Sequence, residues 1–363
     1  MKEILHSEYP TLQDWIQETL TSAKASAMLI THLPHIRWMC GFTGSNGFLI
    51  VREDLMHLVT DHRYKIQATL EVSEATIHIG AHNLINYAKT HGLVIATDTL
   101  LIQPEYMTLA SYQQWHDEVS DISLVPQEKF FHRLVATKSP HAIAGMRRAQ
   151  WISDLVFDEI HPYIKPGVTE KELAARIDYY HRKHGASQMA FETIVAFGKN
   201  TALPHARPTQ RELKQDECVL LDFGGIVDGN ASDMTRTLFV GSPSEEFLTA
   251  YASVRKAQNE AVKTVGEGVC CSDVDRAARS SLTQDGFGEF FCHSTGHGIG
   301  MEVHEWPSLS TGSDTILKKG FTVTIEPGVY VPHQFGIRIE DTVAVQSHGC
   351  QRLSQIQQDL IIL

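Results

Sequence analysis

Asp228-Gly229 stands between two apolar runs, residues 218–222 and 235–240, both rich in residue types that suit a pleated surface. An Asp-Gly pair readily accepts the positive φ angles of a two-residue hairpin turn, so it fixes a register. With Asp228 and Gly229 as the loop, Val227 faces Asn230, Asp222 faces Thr235 and Asp233 faces Gly224. Side chains alternate faces with period two. Asp222 and Asp233 therefore project from the same face as diagonal neighbours, about 7–8 Å apart at the backbone. Two carboxylates so close on a largely apolar sheet repel each other and lose hydration. They need a proton, a basic partner or a cation, unless the hairpin turns that face to water.

The chain around this hairpin, 363 residues, exceeds one ordinary core and suits two domains of unequal size. A net charge of −12 argues against a nucleic-acid-binding face, which would have to be basic. Cys40, Cys218, Cys270, Cys271, Cys292 and Cys350 show no CxxC pair and no regular spacing. Neither a zinc knuckle nor a disulfide framework is indicated, and a reducing, cytoplasmic setting is expected. Met1–Pro10 carries Glu3, His6 and Glu8 where a secretory peptide would be apolar. No later segment approaches the length of a membrane span, so no membrane partner is expected.

Apolar spacing at Leu12, Trp15, Ile16 and Leu20 predicts a helix over residues 11–24. Strands are expected at 27–31, 48–51, 56–60, 76–79, 94–97 and 122–125, and helices at 62–70, 84–90 and 104–116. The glycine-punctuated stretch 40–47 lacks the lysine of a phosphate-binding loop and reads as a turn. This alternation predicts a small α/β domain. From residue 140 a long amphipathic helix runs to about 164, Pro166-Gly167 breaks it, and Thr169 with Glu172 forms a capping box that opens a second helix to 184. A strand at 191–197 and a loop at 200–208 carrying His205 follow. Two more helices, 245–265 and 272–285, precede strands at 321–325, 328–331 and 336–345. Helix pair, strands, helix pair, strands hints at internal duplication.

Two further stretches carry chemistry. Residues 291–305 hold His293, His297 and His304 among four glycine and threonine positions that disfavour a helix, so an extended, bent segment is expected. Glu326 directly follows the apolar run 321–325, and Glu340 ends the alternation of Ile337 and Ile339, which makes both acids in apolar surroundings. They face each other across the strands if the connection around His333 holds an odd number of residues. Two carboxylate pairs and one imidazole would balance two divalent cations sharing a hydroxide. Oxygen-rich ligation favours manganese or cobalt over a thiolate-type zinc site, and hydrolysis is the implied chemistry.

Asp222 through Asp233 with Thr235-Arg236-Thr237, Gly296-His297-Gly298-Ile299-Gly300 with Val303-His304-Glu305, Glu326-Pro327-Gly328, and Arg338-Ile339-Glu340-Asp341 together resemble the metallopeptidase family of aminopeptidase P, prolidase and methionine aminopeptidase. The resemblance covers the chain from about residue 130 onward. The first part is similar in size and position to the smaller domain of prolidases and aminopeptidases P. It implies a small α/β N-terminal domain of the creatinase/prolidase type over residues 1–132 and an α+β catalytic domain of pita-bread fold over 133–363. The implied function is an Xaa-Pro aminopeptidase, acting on peptides with proline in second position, with two divalent metal ions (manganese first, cobalt or zinc as alternatives) and forming a homodimer.

Carried over position by position, the resemblance implies that Asp222 chelates one ion, Asp233 and Glu340 bridge both, and His297 and Glu326 complete the other. His205 would contact substrate and steady the developing oxyanion, His293 and His304 would line the pocket, and His304 would handle protons or hold the substrate carbonyl. Arg338 would belong to the substrate-binding residues and, with Thr235, would orient the carboxylates, and Glu326 would carry a proton to the leaving nitrogen. Asn230 departs from the pattern, since relatives usually have an aromatic residue there. Three other readings remain: an Xaa-Pro dipeptidase, a metal-free creatinase-like hydrolase, and a non-catalytic binding protein on the same scaffold.

Overall fold

The computed structural model describes residues 11–363, so the reading of Met1–Pro10 lies outside the described residues. The chain divides into two units, Met1–Leu134 and Val135–Leu363.

In the first unit, α1 (Leu12–Ala23) starts at a capping box between Thr11 and Asp14 and buries Leu12, Trp15, Ile16 and Leu20, the face its spacing predicts. β1 (Ala27–Ile30), α2 (Leu33–Cys40), β2 (Phe48–Val51), β3 (Met56–Asp61), α3 (Lys65–Glu71), β4 (Thr76–Gly80), α4 (Leu84–Thr90), β5 (Thr99–Ile102), α5 (Leu109–Glu118) and β6 (Ser123–Pro126) follow. The strands form one sheet in the order β4-β3-β2-β1-β5-β6. β1 lies at its centre, every residue buried, antiparallel to β2 and parallel to β5. This is the expected α/β arrangement with two differences. Residues 94–97 are not a strand, because Ile95 and Asp98 exchange hydrogen bonds: Ile95 N donates to the Asp98 carboxylate at 2.8 Å and Asp98 N to Ile95 O at 2.8 Å. The strand that pairs with β1 on this side is instead β5. The stretch left unassigned before the glycine loop is helix α2, with a proline in its first turn, where the missing N–H costs nothing.

A short helix, α6 (His132–Ala136), leads to α7 (Pro140–Ile160) and α8 (Glu170–Lys183), the latter opened by the Thr169/Glu172 capping box. β7 (Gln188–Met189), β8 (Ile194–Phe197), β9 (Glu217–Phe223), β10 (Gly225–Val227), β11 (Asn230–Ala231) and β12 (Met234–Val240) come next. Then come α9 (Glu245–Thr264), α10 (Cys271–Gln284), β13 (Gly296–Gly298), β14 (Glu305–Leu309), β15 (Thr322–Ile325), β16 (Gly328–Val331), β17 (Phe335–Arg338), β18 (Asp341–Val345) and β19 (Cys350–Arg352). The expected strand 191–197 is confined to β8, and 336–345 is split into β17 and β18. β14 was not foreseen.

The second unit has two apolar cores that follow its repeated pattern. One gathers α7 and α8 with β8, β9 and β12 around Phe157, Ile177, Phe197 and Leu221. The other gathers α9 and α10 with β15 to β18 around Val254, Leu282, Val323 and Ile337. No helix among the described residues is long and apolar enough to cross a membrane.

Candidate metal centre and pocket

The first hairpin keeps the register that its turn dictates. Asp228 and Gly229 take φ of 51° and 81°, Val227 pairs with Asn230, and Asp222 pairs with Thr235. Asp222 and Asp233 are 8% and 5% exposed, so the water-facing alternative for this hairpin does not hold. The second hairpin also resolves as its parity requires. Val331 pairs with Phe335 across a three-residue connection centred on His333, whose φ is 65°, and Ile325 pairs with Asp341. Continued between these pairs, that register sets Glu326 opposite Glu340.

Between the hairpins lies β13. An alanine Cβ at Gly296 would stand 1.9 Å from Thr324 O, so only glycine lets β13 approach β15 closely enough to deliver His297. His297 Nδ1 donates to Gly298 O at 2.9 Å, which points Nε2 into the site. Nε2 lies 3.3 Å from Glu326 Oε1 and 3.6 Å from Asp233 Oδ2. Single donor atoms of Asp233, His297 and Glu340 all fall within 4.8 Å of one another.

The surroundings fix these groups in place. Thr235 Oγ1 donates to Glu340 at 2.7 Å and accepts from Arg338 Nε at 3.1 Å. Arg338 also donates to Asp222, to Tyr330 Oη at 2.6 Å and to Pro204 O at 3.1 Å. Arg236 grips the backbone of Glu340 at 2.6 Å and the Asp341 carboxylate at 2.7 Å. Thr324 Oγ1 donates to Glu326 at 3.1 Å and accepts from His297 N at 3.1 Å.

Three carboxylate oxygens remain without a hydrogen-bond partner although buried: Asp222 Oδ1, Asp233 Oδ1 and Glu340 Oε1. Leaving one such acceptor unsatisfied costs about 1–3 kcal/mol. Three in one cage make a coherent demand for positive charge. The acidities say the same. Burial, then the neighbouring Glu340 and Asp222 charges, push Asp233 well above the carboxylate range. Burial, then Glu326 and Asp222, do the same to Glu340, and burial raises Asp222. Burial would also raise Glu326, but the His297 hydrogen bond and charge outweigh it and hold Glu326 at about 2. Buried oxygens in excess with one imidazole form a donor set for hard or borderline divalent cations.

The cage opens into a cavity of about 430 Å³ whose wall includes His205, His293, His304 and Arg338. His205 and His304 are exposed at the cavity surface, and the His304 ring meets His297 at 4.4 Å between centroids. Burial, then the nearby His297, lower the His304 pKa. His293 has both ring nitrogens committed: Nδ1 donates to Ser294 O at 2.8 Å, and Nε2 accepts from Tyr330 Oη at 3.0 Å. Asn230, the departure from the family pattern, sits at the hairpin tip against Gly145 of α7, away from the carboxylates.

Sequence reasoning missed Tyr330, which relays between Arg338 and His293, and Glu170. Glu170 is fully buried and accepts from Phe197 N and Asn200 Nδ2 at 2.9 Å each and from Thr209 N at 2.9 Å and Thr209 Oγ1 at 2.5 Å. It thereby holds both ends of the segment that carries His205. Its position beside the Thr169 cap was visible, but nothing in the sequence marks a first-turn acid as buried. Tyr330 could have been found from the strand alternation that sets it two residues from Gly328, on the strand facing Arg338.

Residues 144–347 match the model of metallopeptidase family M24, and residues 14–134 match that of the creatinase/prolidase N-terminal domain. The uncharacterized peptidase YqhT of Bacillus subtilis is 36% identical over 336 residues, 93% of this chain and 95% of that protein. Among solved structures, an Xaa-Pro dipeptidase from Bacillus anthracis superposes with a TM-score of 0.93 at 33% identity, over 97% of this chain and 99% of the other. An X-Pro aminopeptidase from Thermotoga maritima superposes at 0.89 with 31% identity, over 95% and 100%. The two-unit architecture, with its pita-bread second unit, is thus the one these peptidases share. The chain belongs to metallopeptidase family M24 and is a hydrolase of that family with a creatinase/prolidase N-terminal domain.

Proposed function

We propose that this protein is a dinuclear metal-dependent peptidase that hydrolyses the bond between an N-terminal residue and a following proline. The observation that carries the reading is the cage of Asp222, Asp233, His297, Glu326 and Glu340 with its three unpartnered buried oxygens. In this reading Asp222 would hold one ion, Asp233 and Glu340 would be shared between both, and His297 and Glu326 would hold the other. Two divalent ions bound there, with manganese first and cobalt or zinc as alternatives, would supply an ionised water at neutral pH and polarise the scissile carbonyl.

The chain's own groups do the rest. Arg338 and Thr235 hold the Asp222 and Glu340 carboxylates in orientation. His205, on the cavity wall, donates to the carbonyl oxygen as it gains charge. His304, whose lowered pKa keeps it neutral near pH 7, binds the substrate carbonyl or accepts a proton. His293, tied to Tyr330, shapes the wall. Glu326 takes the proton of the attacking water and delivers it to the proline nitrogen. The names of the two solved relatives, one a dipeptidase and the other an aminopeptidase, support an Xaa-Pro substrate. We also read the protein as a cytoplasmic homodimer; six free cysteines support the reducing setting.

The test is a panel of Xaa-Pro dipeptides, Xaa-Pro-Yaa tripeptides and a Met-Ala control, assayed with each metal after chelation. Cleavage confined to proline substrates and restored by metal is expected. Full activity in the presence of chelator would defeat the metal assignment and favour the creatinase-like alternative. Bound metal without turnover on any substrate would favour the binding protein.

A further inference from the structure

The cavity wall contains two permanent cations, Arg338 and Arg207. Arg338 is committed: its side chain is 4% exposed and donates to Thr235, Pro204, Tyr330 and Asp222. Arg207 is different. Its side chain is 82% exposed, and its nearest charged partner is Glu192 on the same wall, with Nε 3.7 Å from Oε2, an arrangement too long for a good hydrogen bond. An exposed pair of this kind exchanges partners at little cost.

We propose that Arg207 is a specificity residue that binds the free carboxylate of a substrate ending at the proline, so that the protein prefers Xaa-Pro dipeptides. The inference rests on the reading of the protein as an Xaa-Pro peptidase. Arg207 follows His205 by two positions, and the run 204–207 lines the cavity with His205 and Arg207 as its exposed members. The two side chains therefore leave the loop on the cavity side together. With His205 at the scissile carbonyl, Arg207 stands one further step along the substrate. A dipeptide's carboxylate lies one residue, about 3.8 Å of chain, beyond that carbonyl. The loop is not free to drift, because Glu170 holds it at Phe197, Asn200 and Thr209, and Arg338 holds it at Pro204. A guanidinium also matches a carboxylate in planar, two-pronged geometry. A longer peptide carries a neutral amide at this point and offers Arg207 nothing comparable.

The experiment compares kcat/KM for Ala-Pro and Ala-Pro-amide in the metal-loaded wild type, Arg207→Met, Arg207→Lys and Glu192→Gln. Arg207→Met should lower the Ala-Pro value about 10- to 100-fold, through KM, with the amide little changed, because only the acid presents a charge to lose. Arg207→Lys should recover part of the loss. Glu192→Gln should lower KM for Ala-Pro by removing the competing carboxylate. An equal fall on both substrates, or an unchanged acid-to-amide ratio in an active enzyme, overturns this proposal alone. A wild type inert on every proline compound overturns both it and the function on which it rests.

Discussion

Replacing Glu170 by Gln tests whether one buried acid outside the cage governs the loop that carries His205. The substituted amide keeps an oxygen for Phe197 N and Asn200, but it turns an NH2 group toward Thr209 N, another donor. One part-buried backbone N–H is then left without its acceptor, at about 1–3 kcal/mol. The two retained bonds lose their charge assistance, about 1 kcal/mol each, and the first turn of α8 loses a favourable anion worth about 0.5 kcal/mol. The sum is about 3.5–5.5 kcal/mol, or a fall in Tm of roughly 10–15 °C for a unit of this size. Thermal unfolding should be followed with excess metal and again with chelator, since ligand binding shifts the midpoint by mass action. Hydrogen exchange across residues 198–209 should rise. Misplacing His205 should lower kcat/KM on an Xaa-Pro substrate up to about 100-fold. In a His205→Ala background the Glu170 change should add little to that kinetic loss. A variant within about 1 kcal/mol of wild type, or an undiminished kinetic effect without His205, would refute the reasoning.

Asp233→Ala should abolish both bound metal, measured by elemental analysis, and turnover; full activity would remove Asp233 from the cage. Gly296→Ala should destabilise the second unit by about 3 kcal/mol and lower metal content, because its Cβ would meet Thr324 O at 1.9 Å. Urea unfolding reads the first effect. In the first unit, burial would raise the Asp98 pKa, but bonds from Arg52, Ile95 N and Ser26 outweigh it and hold Asp98 below its ordinary 3.8. A depressed acid contributes full stability above 3.8 and loses it as pH falls through the lower folded value. Asp98→Asn should therefore cost about 2 kcal/mol near neutral pH, read from exchange of the β1 and β5 amides, and that difference should shrink below 3.8.

What the sequence disclosed depended on whether a local signal fixed geometry. Asp228-Gly229 fixed the first hairpin because few dipeptides accept both positive φ values, whereas the second stayed conditional, since the sequence does not give the parity of the His333 connection and only the Val331–Phe335 pairing supplies it. The Thr169/Glu172 box fixed the start of α8. Residues 94–97 read as a strand because short apolar runs look alike whether they form a strand or fold into a turn, and here the Asp98 carboxylate decides. β14 was hidden by Pro307, which argues against a strand when neighbours are unknown. Glu170 and Arg207 escaped for another reason: the role of the first comes from partners 27 or more residues away and that of the second from a shared cavity wall, and no periodicity encodes those.

The five cage residues are divided between two hairpins and a strand that are rooted in different apolar cores. In the proposed reading neither half owns enough ligands to hold two ions by itself, so hydrolytic competence would arise only after the halves have met. On that reading a chain still being synthesised, or one partly melted, would carry no working fragment of its own chemistry. Such a division of ligands would tie activity to complete folding through strand order alone.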